Sequence, residues 1–462
     1  MARSPPKNPL IVVIGATGTG KSQLAVELAT RFNGEIINGD AMQMYDGLPI
    51  ITNKITAEEQ QGIPHHLLGF IGLDQEPWVV GTFRKAASKV IQEIRSRGRL
   101  PIVVGGTHYY TQSLLFEDSL VQNNTEGEEE VHPRLSDQEI LTKFPILDEP
   151  TKIIFEKLKE VDPIMAGRWH PNDRRKIRRS LEIFLQSGRK ASDVYAEQKE
   201  AKAMSVKPGY SMESEPPQTL PETLLFWVHA DSEILKERLD KRVDKMFEAG
   251  LLEEVKSMDD FLRKEEASGM TLDRTRGIWA SIGWKEFELY LAALNIDSES
   301  NSKLSDLLKL STEQTKAATR QYAKRQTRWI RLKLMPALHD QNALDQLYFL
   351  DGSDTNSWAD SVSSPAIGVT ESFLAGNGLR PPREMSASAN QYLSAVESAE
   401  IDDLPILQAC EICNTTCAGE DQWQAHIRSR RHRALVKKRH RNPNGTSSLP
   451  NNESKQELGQ TP

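Results

Sequence analysis

LIVVIGATGTGKSQLAVELA, residues 10–29, contains a strand, a phosphate loop and the start of a helix in one run. Leu10 to Ile14 are β-formers without a polar interruption, the pattern of a short strand buried on both faces. The octet from Gly15 to Ser22 satisfies G-x-x-x-x-G-K-[ST]. Leu24, Ala25, Leu28 and Ala29 then recur at helical spacing, which supplies the strand–loop–helix setting the motif requires. Glycines let backbone amides turn inward around phosphate oxygens, and the following helix N-terminus adds partial positive charge. Gly15, Thr17, Gly18, Thr19, Gly20, Lys21 and Ser22 are therefore the expected ligand-binding set. Lys21 would neutralise a terminal phosphate, and the Ser22 hydroxyl would hold Mg²⁺. The motif alone does not say which phosphorylated ligand it takes.

Downstream, Glu35 to Asn38 reads as a second strand with Asp40 just beyond its end, where open α/β sheets bind ligands. An amphipathic helix over Thr82–Arg97 leads to the apolar strand Ile102–Val104, which ends in Gly105-Gly106-Thr107. An ATP-hydrolysing loop enzyme usually presents an acidic residue there to hold Mg²⁺. Glycines and a threonine occupy the position instead, which argues against an ATPase. Sheet character resumes at LLFWVHA (224–230), so the class is α/β, with a parallel-sheet phosphate-loop core in two parts, 8–116 and 206–345. Residues 117–205 form a helical insertion. Residues 346–403 are polar with few periodic apolar positions and are expected to be a disordered linker, as is the tail 443–462.

Within the insertion, DRRKIRRSLEIFLQSGRK places Arg175, Arg178 and Arg179 where residues three and four apart share a helix face. A second basic helix, Thr312 to Leu334, carries Lys316, Arg320, Lys324, Arg325, Arg328 and Arg331, which suit either a pyrophosphate or a polynucleotide. The 462 residues carry a net charge of −7, so any polyanion-binding surface is local. No apolar run approaches the roughly 18 residues of a membrane span, and no signal peptide is readable. A cytoplasmic monomer is expected, with mitochondrial or nuclear pools also open.

The three cysteines lie near the C-terminus. Cys410-x2-Cys413-x12-His426-x5-His432 fits the two-cysteine, two-histidine zinc pattern, a closed structural site expected over residues 404–442. Residues 410–442 hold eight Lys/Arg against three Asp/Glu, the balance of a nucleic-acid-binding finger, although a protein contact also fits.

GATGTGKS, INGDAMQMYDGLPIITNK, PHHLL, VVGGTHYY, HPNDRRKIRRSLEIF, RLDKRVDKMFEAGLLEEV, SIGWKEFELYL and TRQYAKRQTRWIR, in this order, resemble the tRNA dimethylallyltransferases over residues 10 to about 335. The finger matches the eukaryotic type. The resemblance implies transfer of a dimethylallyl group from dimethylallyl diphosphate to the exocyclic amine of the adenosine 3′ of the anticodon. It casts Asp40 as general base, and Thr107 as a hydrogen-bonder to the diphosphate and to Asp40. Asp40, Ala41, Met42 and Gln43 would read the flipped base in the tRNA anticodon loop, and Arg175, Lys176, Ile177, Arg178 and Arg179 would contact tRNA. Relatives often carry serine where Ala41 stands, so one hydroxyl contact is missing here. Two other readings fit some of the residues: a nucleotide-type kinase using Asp231 for Mg²⁺, and a non-catalytic RNA-binding protein with a vestigial loop.

Overall fold

The structure is a computed structural model and describes residues 4–116, 137–197, 222–269, 272–294, 301–394, 407–410, 412–413, 415–418 and 420–441. The core unit spans residues 1–120 and 212–399; the insertion and the finger make up the remainder. The acidic stretch 122–134, both ends of the insertion and the tail 443–462 lie outside the described residues.

Strand β1 (Leu10–Gly15) is fully buried and runs through the phosphate loop into α1 (Lys21–Arg31). β2 (Gly34–Asn38), β3 (His65–His66), α2 (Val80–Ser96), β4 (Leu100–Val104) and α3 (His108–Leu115) follow. Among the described residues, the main sheet has six strands in the order β3-β2-β4-β1-β5-β6, with β5 at Thr223–His229 and β6 at Leu347–Asp351. Every pairing in it is parallel. Parallel sheets need cover on both faces, which explains the unbroken apolar strands. Leu10, Val12 and Ile14 pack with Phe83 and Ile91 of α2, while Ile11 and Val13 pack with Leu24 and Leu28 of α1. β1 is therefore the central strand, flanked by β4 and β5, and its loop opens at the carboxyl edge where such sheets bind ligands.

The insertion is a small helical body. It contains α4 (Asp137–Lys143), α5 (Thr151–Val161), α6 (Pro163–Arg168), α7 (Arg174–Ser187) and a helix over 191–197. Leu147, Ile154, Leu158, Ile177 and Leu181 form its apolar centre. The buried Asp162 carboxylate ties two helix starts together, accepting from the Met165 amide at 3.1 Å and the Ser192 amide at 2.9 Å.

After β5, the core continues with α8 (Ser232–Glu248), α9 (Leu251–Ala267), α10 (Glu288–Leu294), α11 (Asn301–Trp329) and α12 (Met335–Asp340). Residues 346–394 then overturn the expected disordered linker. β6 pairs with β5 from Leu225↔Leu347 to His229↔Asp351, and α13 (Ser364–Leu374) and α14 (Ala387–Ser394) pack against the sheet. The polar run GSDTNSW conceals a five-residue strand before it, four of whose residues are apolar, and a sparse helical stripe after it. Val362, Ala366, Val369 and Phe373 supply that stripe and are buried.

Candidate active site

The phosphate loop is held from several sides. The Thr19 hydroxyl donates to the Ala16 carbonyl at 2.9 Å, and Lys21 Nζ donates to the same carbonyl at 2.8 Å. Thr17 is turned into the protein: its amide donates to Gln326 Oε1 at 2.8 Å, and its hydroxyl accepts from Arg242 at 2.8 Å. Gln326 lies on the inner face of α11 and its Nε2 donates to the Gly106 carbonyl at 2.8 Å. One buried amide thus joins the phosphate loop to the loop after β4. Ser22 is exposed at the start of α1.

Asp40 reaches the same place from the end of β2. Asn38 fixes its backbone, accepting from the Asp40 amide at 3.0 Å and donating to the Asp40 and Leu67 carbonyls. Gly39 and Gly105 meet at the adjacent ends of β2 and β4, and a Cβ on Gly105 would stand 2.3 Å from the Gly39 carbonyl carbon. Only glycine permits that approach. The Asp40 carboxylate accepts from the Met42 amide at 3.1 Å. Burial raises the carboxyl pKa above its ordinary value, against hydrogen bonds from the Met42 and Gly106 amides and the charges of Lys21 and Arg242. Thr107 bonds the chain beside the carboxylate rather than the carboxylate itself, its hydroxyl accepting from the Ala41 amide at 3.0 Å. Tyr322 of α11 hydrogen-bonds Thr107 and Gln326, and burial pushes its phenol pKa up.

Burial brings the Lys21 ammonium down to about 8, with Asp40 opposing the shift and Arg242 adding to it. Arg242 is itself lowered to about 10 by burial, with Asp40 and Tyr322 pulling the other way. Two cations face one carboxylate and the loop amides, which is an arrangement suited to a multiply charged anion. His108, buried beside Lys21, is lowered to about 3 by desolvation and stays neutral.

Arg242, Gln326, Tyr322 and Asn38 are absent from the expected site residues. The basic residues of α11 named from sequence divide differently. Lys316 pairs with Asp244 at 2.6 Å and Arg320 pairs with Asp240, so both tie α11 to α8, while Lys324, Arg325, Arg328 and Arg331 are exposed. Asp231, the kinase candidate for Mg²⁺, is exposed and caps α8, accepting from the Glu233 amide at 2.9 Å.

The strand-end segment 41–54 is anchored from α9, where Glu254 accepts the amides of Ile50 at 2.9 Å and Ile51 at 2.8 Å. Gln43 Nε2 donates to the Asn53 carbonyl at 3.0 Å, which leaves Oε1 free to accept a further bond. Ala41 and Met42 are half-buried against the core.

On α7, Arg175, Lys176 and Arg179 are exposed and Arg178 is half-buried. Ile177 is fully buried in the insertion core, which corrects its assignment as a tRNA contact. Its spacing to Leu181 and Ser180 places it on the inward face of the helix.

In the finger, the hairpin of β7 (Leu407–Cys410) and β8 (Thr415–Ala418) carries Cys410, and Cys413 lies in its turn. His426 comes from α15 (Glu420–Ile427) and His432 from α16 (Arg430–Arg441). Their donor atoms all lie within 4.8 Å of one another. His432 Nδ1 stands 3.5 Å from Cys410 Sγ, 3.4 Å from Cys413 Sγ and 3.1 Å from His426 Nε2. A tetrahedral zinc, with bonds of about 2.3 Å to sulfur and about 2.0 Å to nitrogen, spaces its ligand atoms by roughly 3.3–3.8 Å. The donor set fits zinc, and all four positions come from protein. Cys417 is buried outside this cluster.

A family profile described as "IPP transferase" matches residues 43–333, and one described as "Zinc-finger of C2H2 type" matches residues 409–432. The chain is 40% identical to a tRNA dimethylallyltransferase of Schizosaccharomyces pombe, over 93% of this chain and 95% of that protein. It is 35% identical to a tRNA dimethylallyltransferase of Homo sapiens, over 94% of this chain and 87% of that one. A crystal structure of a eukaryotic dimethylallyltransferase acting on tRNA superimposes with a TM-score of 0.72 at 33% identity, covering 95% of this chain and 98% of that one. Strand order, loop geometry and these matches agree, and the chain belongs to the IPP transferase family, as a transferase with a C-terminal zinc finger.

Proposed function

We propose that the chain transfers a dimethylallyl group from dimethylallyl diphosphate to the exocyclic amine of the adenosine 3′ of the anticodon in tRNA, releasing diphosphate. The observation that carries this is the meeting of Asp40, Lys21 and Arg242 around a phosphate loop whose neighbouring strand ends without an acidic residue. The allylic C–O bond breaks with its electron pair going to a diphosphate oxygen. Lys21, Arg242 and the amides of Gly18 to Ser22 are positioned for that accumulating charge. The adenine nitrogen forms the new C–N bond and gives its proton to Asp40, whose raised pKa makes it a better acceptor than an exposed carboxylate. Mg²⁺ would neutralise diphosphate charge, and the exposed Ser22 hydroxyl would hold it. The target base must leave its stack, at a cost of a few kcal/mol, and an anticodon loop is single-stranded enough to allow it. Gln43 Oε1 is available to the base edge. Arg175, Arg178 and Arg179 of α7 and the basic finger supply backbone contacts.

Incubation with total tRNA and either radiolabelled dimethylallyl diphosphate or γ-labelled ATP tests this directly. Prenyl label should enter tRNA; phosphoryl transfer from ATP would support the kinase reading instead.

Two further results are expected. Lys21 binds an anion in its protonated form, and its pKa of about 8 means that form is lost as pH rises. Calorimetric titration with a dimethylallyl thiodiphosphate should therefore show affinity steady below that pH. Above it, affinity should fall by up to about tenfold per pH unit. A flat profile to high pH would remove Lys21 from the site. The finger stands outside the chemistry because its four ligands leave zinc no open position. Deleting residues 395–462 should weaken tRNA binding and flatten its salt dependence by just under one unit per lost phosphate contact. The single-turnover rate at saturating tRNA should persist. A collapse of that rate with affinity unchanged would place the finger in the active site.

A further inference from the structure

The phosphate loop has a neighbour that neither its motif nor the family match, which ends at residue 333, includes. The chain leaving β6 crosses its back. Gly352 donates its amide to the His229 carbonyl at 2.8 Å, and a Cβ there would stand 3.3 Å from the Thr19 carbonyl oxygen. Arg238 of α8 donates to the carbonyls of Gly352 and Ser353, and the Asp231 amide donates to the Ser353 hydroxyl at 2.8 Å. The segment ends at Trp358, whose Nε1 donates to Glu27 of α1 at 3.0 Å. The indole covers Gly20: a Cβ on that glycine would meet the ring at 2.5 Å. Gly20 has φ +93, a left-handed conformation that already disfavours any side chain. The glycine therefore serves two demands, its own backbone angle and the ring lying on it.

We propose that residues 352–358 are a brace for the phosphate loop and that Trp358 is a positioning residue for diphosphate binding. The proposal rests on the assignment of this loop to the prenyl diphosphate. A cradle of amides binds anions well only when its amides are fixed before the ligand arrives, since ordering them on binding subtracts from affinity. The motif glycines make the loop intrinsically mobile. The indole removes that freedom by filling the space into which Gly20 would otherwise move, and the Glu27 bond holds the indole in place. Asp351 and Ser353 steady the other end, the Ser353 amide donating to the Asp351 carboxylate at 3.0 Å.

The test uses the full chain, dimethylallyl thiodiphosphate as probe and tRNA as control. Trp358→Ala should raise the Kd for the thiodiphosphate about tenfold or more, because a loop displaced by even an ångström loses aligned donors. It should leave tRNA affinity near that of the parent protein, and KM for dimethylallyl diphosphate should rise more than kcat falls. Trp358→Phe keeps a ring over Gly20 but loses the Nε1 donor, so it should recover most of the loss. Glu27→Leu, which keeps the indole but removes its anchor, should show a similarly small loss. If Trp358→Ala does not fold, these two milder variants decide, each with a small but measurable loss of thiodiphosphate affinity. The brace is overturned if a folded variant set binds the probe like the parent, or if probe and tRNA affinities fall together. Failure of the parent protein itself to bind the probe would instead overturn the assignment of the loop to a prenyl diphosphate.

Discussion

Asp40→Asn should cut the single-turnover rate of prenyl transfer by roughly 10²–10⁴ while tRNA affinity stays within a few-fold, the usual worth of a general base. The isosteric amide keeps the oxygen that accepts from the Met42 amide, so local geometry should survive. What it removes is the proton acceptor. The pH dependence gives a second readout with a definite sign. Burial raises the Asp40 pKa above its ordinary value, and the group acts as a base only when ionised. The rate should therefore climb with pH and level off above that raised pKa, later than an exposed aspartate would allow. In the Asn variant this limb should vanish. An unchanged single-turnover rate would remove Asp40 from the chemistry and leave it as the residue that turns the end of β2.

Arg242→Ala should lower the rate by roughly 10²–10³, as expected when one preorganised donor to developing negative charge is lost. Arg242 is well placed for such an effect. Its guanidinium is buried beside the loop, holds the Thr17 hydroxyl at 2.8 Å and opposes the Asp40 charge. Arg242→Lys should restore little, because a point charge on a flexible stem does not reproduce a planar fork held by burial. Steady-state kinetics with dimethylallyl diphosphate at saturating tRNA would measure both. A variant with parental kcat and KM would reduce Arg242 to a structural tie between α8 and the loop.

Arg242 also marks the limit of what sequence patterns reveal. The phosphate loop, the strand before it and the helix after it are contiguous, so periodicity and a motif suffice to find them. Asp40 is found because a short strand ends just before it. Arg242, Tyr322 and Gln326 come to the same place on helices more than 200 residues away, and their own segments read as basic, amphipathic and solvated. A trace was present: Thr319, Ala323 and Gln326 are buried together on α11, with Ile330 just past its end, so a polar amide occupies an inward helical position. Buried polar residues of that kind are bonded to something, and here the partners are the two active-site loops. The opposite error affected Ile177, where a basic block drew in the one residue whose apolar side chain serves the insertion core. The linker assignment failed because polarity outweighed a strand only five residues long, which matters to the fold through its pairing with β5.

The bond between Trp358 and Glu27 spans 331 residues. At translation rates of about 5–20 residues per second, the phosphate loop is synthesised roughly 20–70 seconds before its last neighbour exists. Once β5 is made, its outer side stays without a partner until β6 follows, and an unpaired edge invites pairing with other chains. The contacts that brace the phosphate loop are thus among the most non-local in the core, and closing such loops is slow. With Trp358 in its proposed role, the phosphate loop becomes fit to hold a diphosphate only after β6 and the segment behind it are made, when the other strands of the sheet already exist.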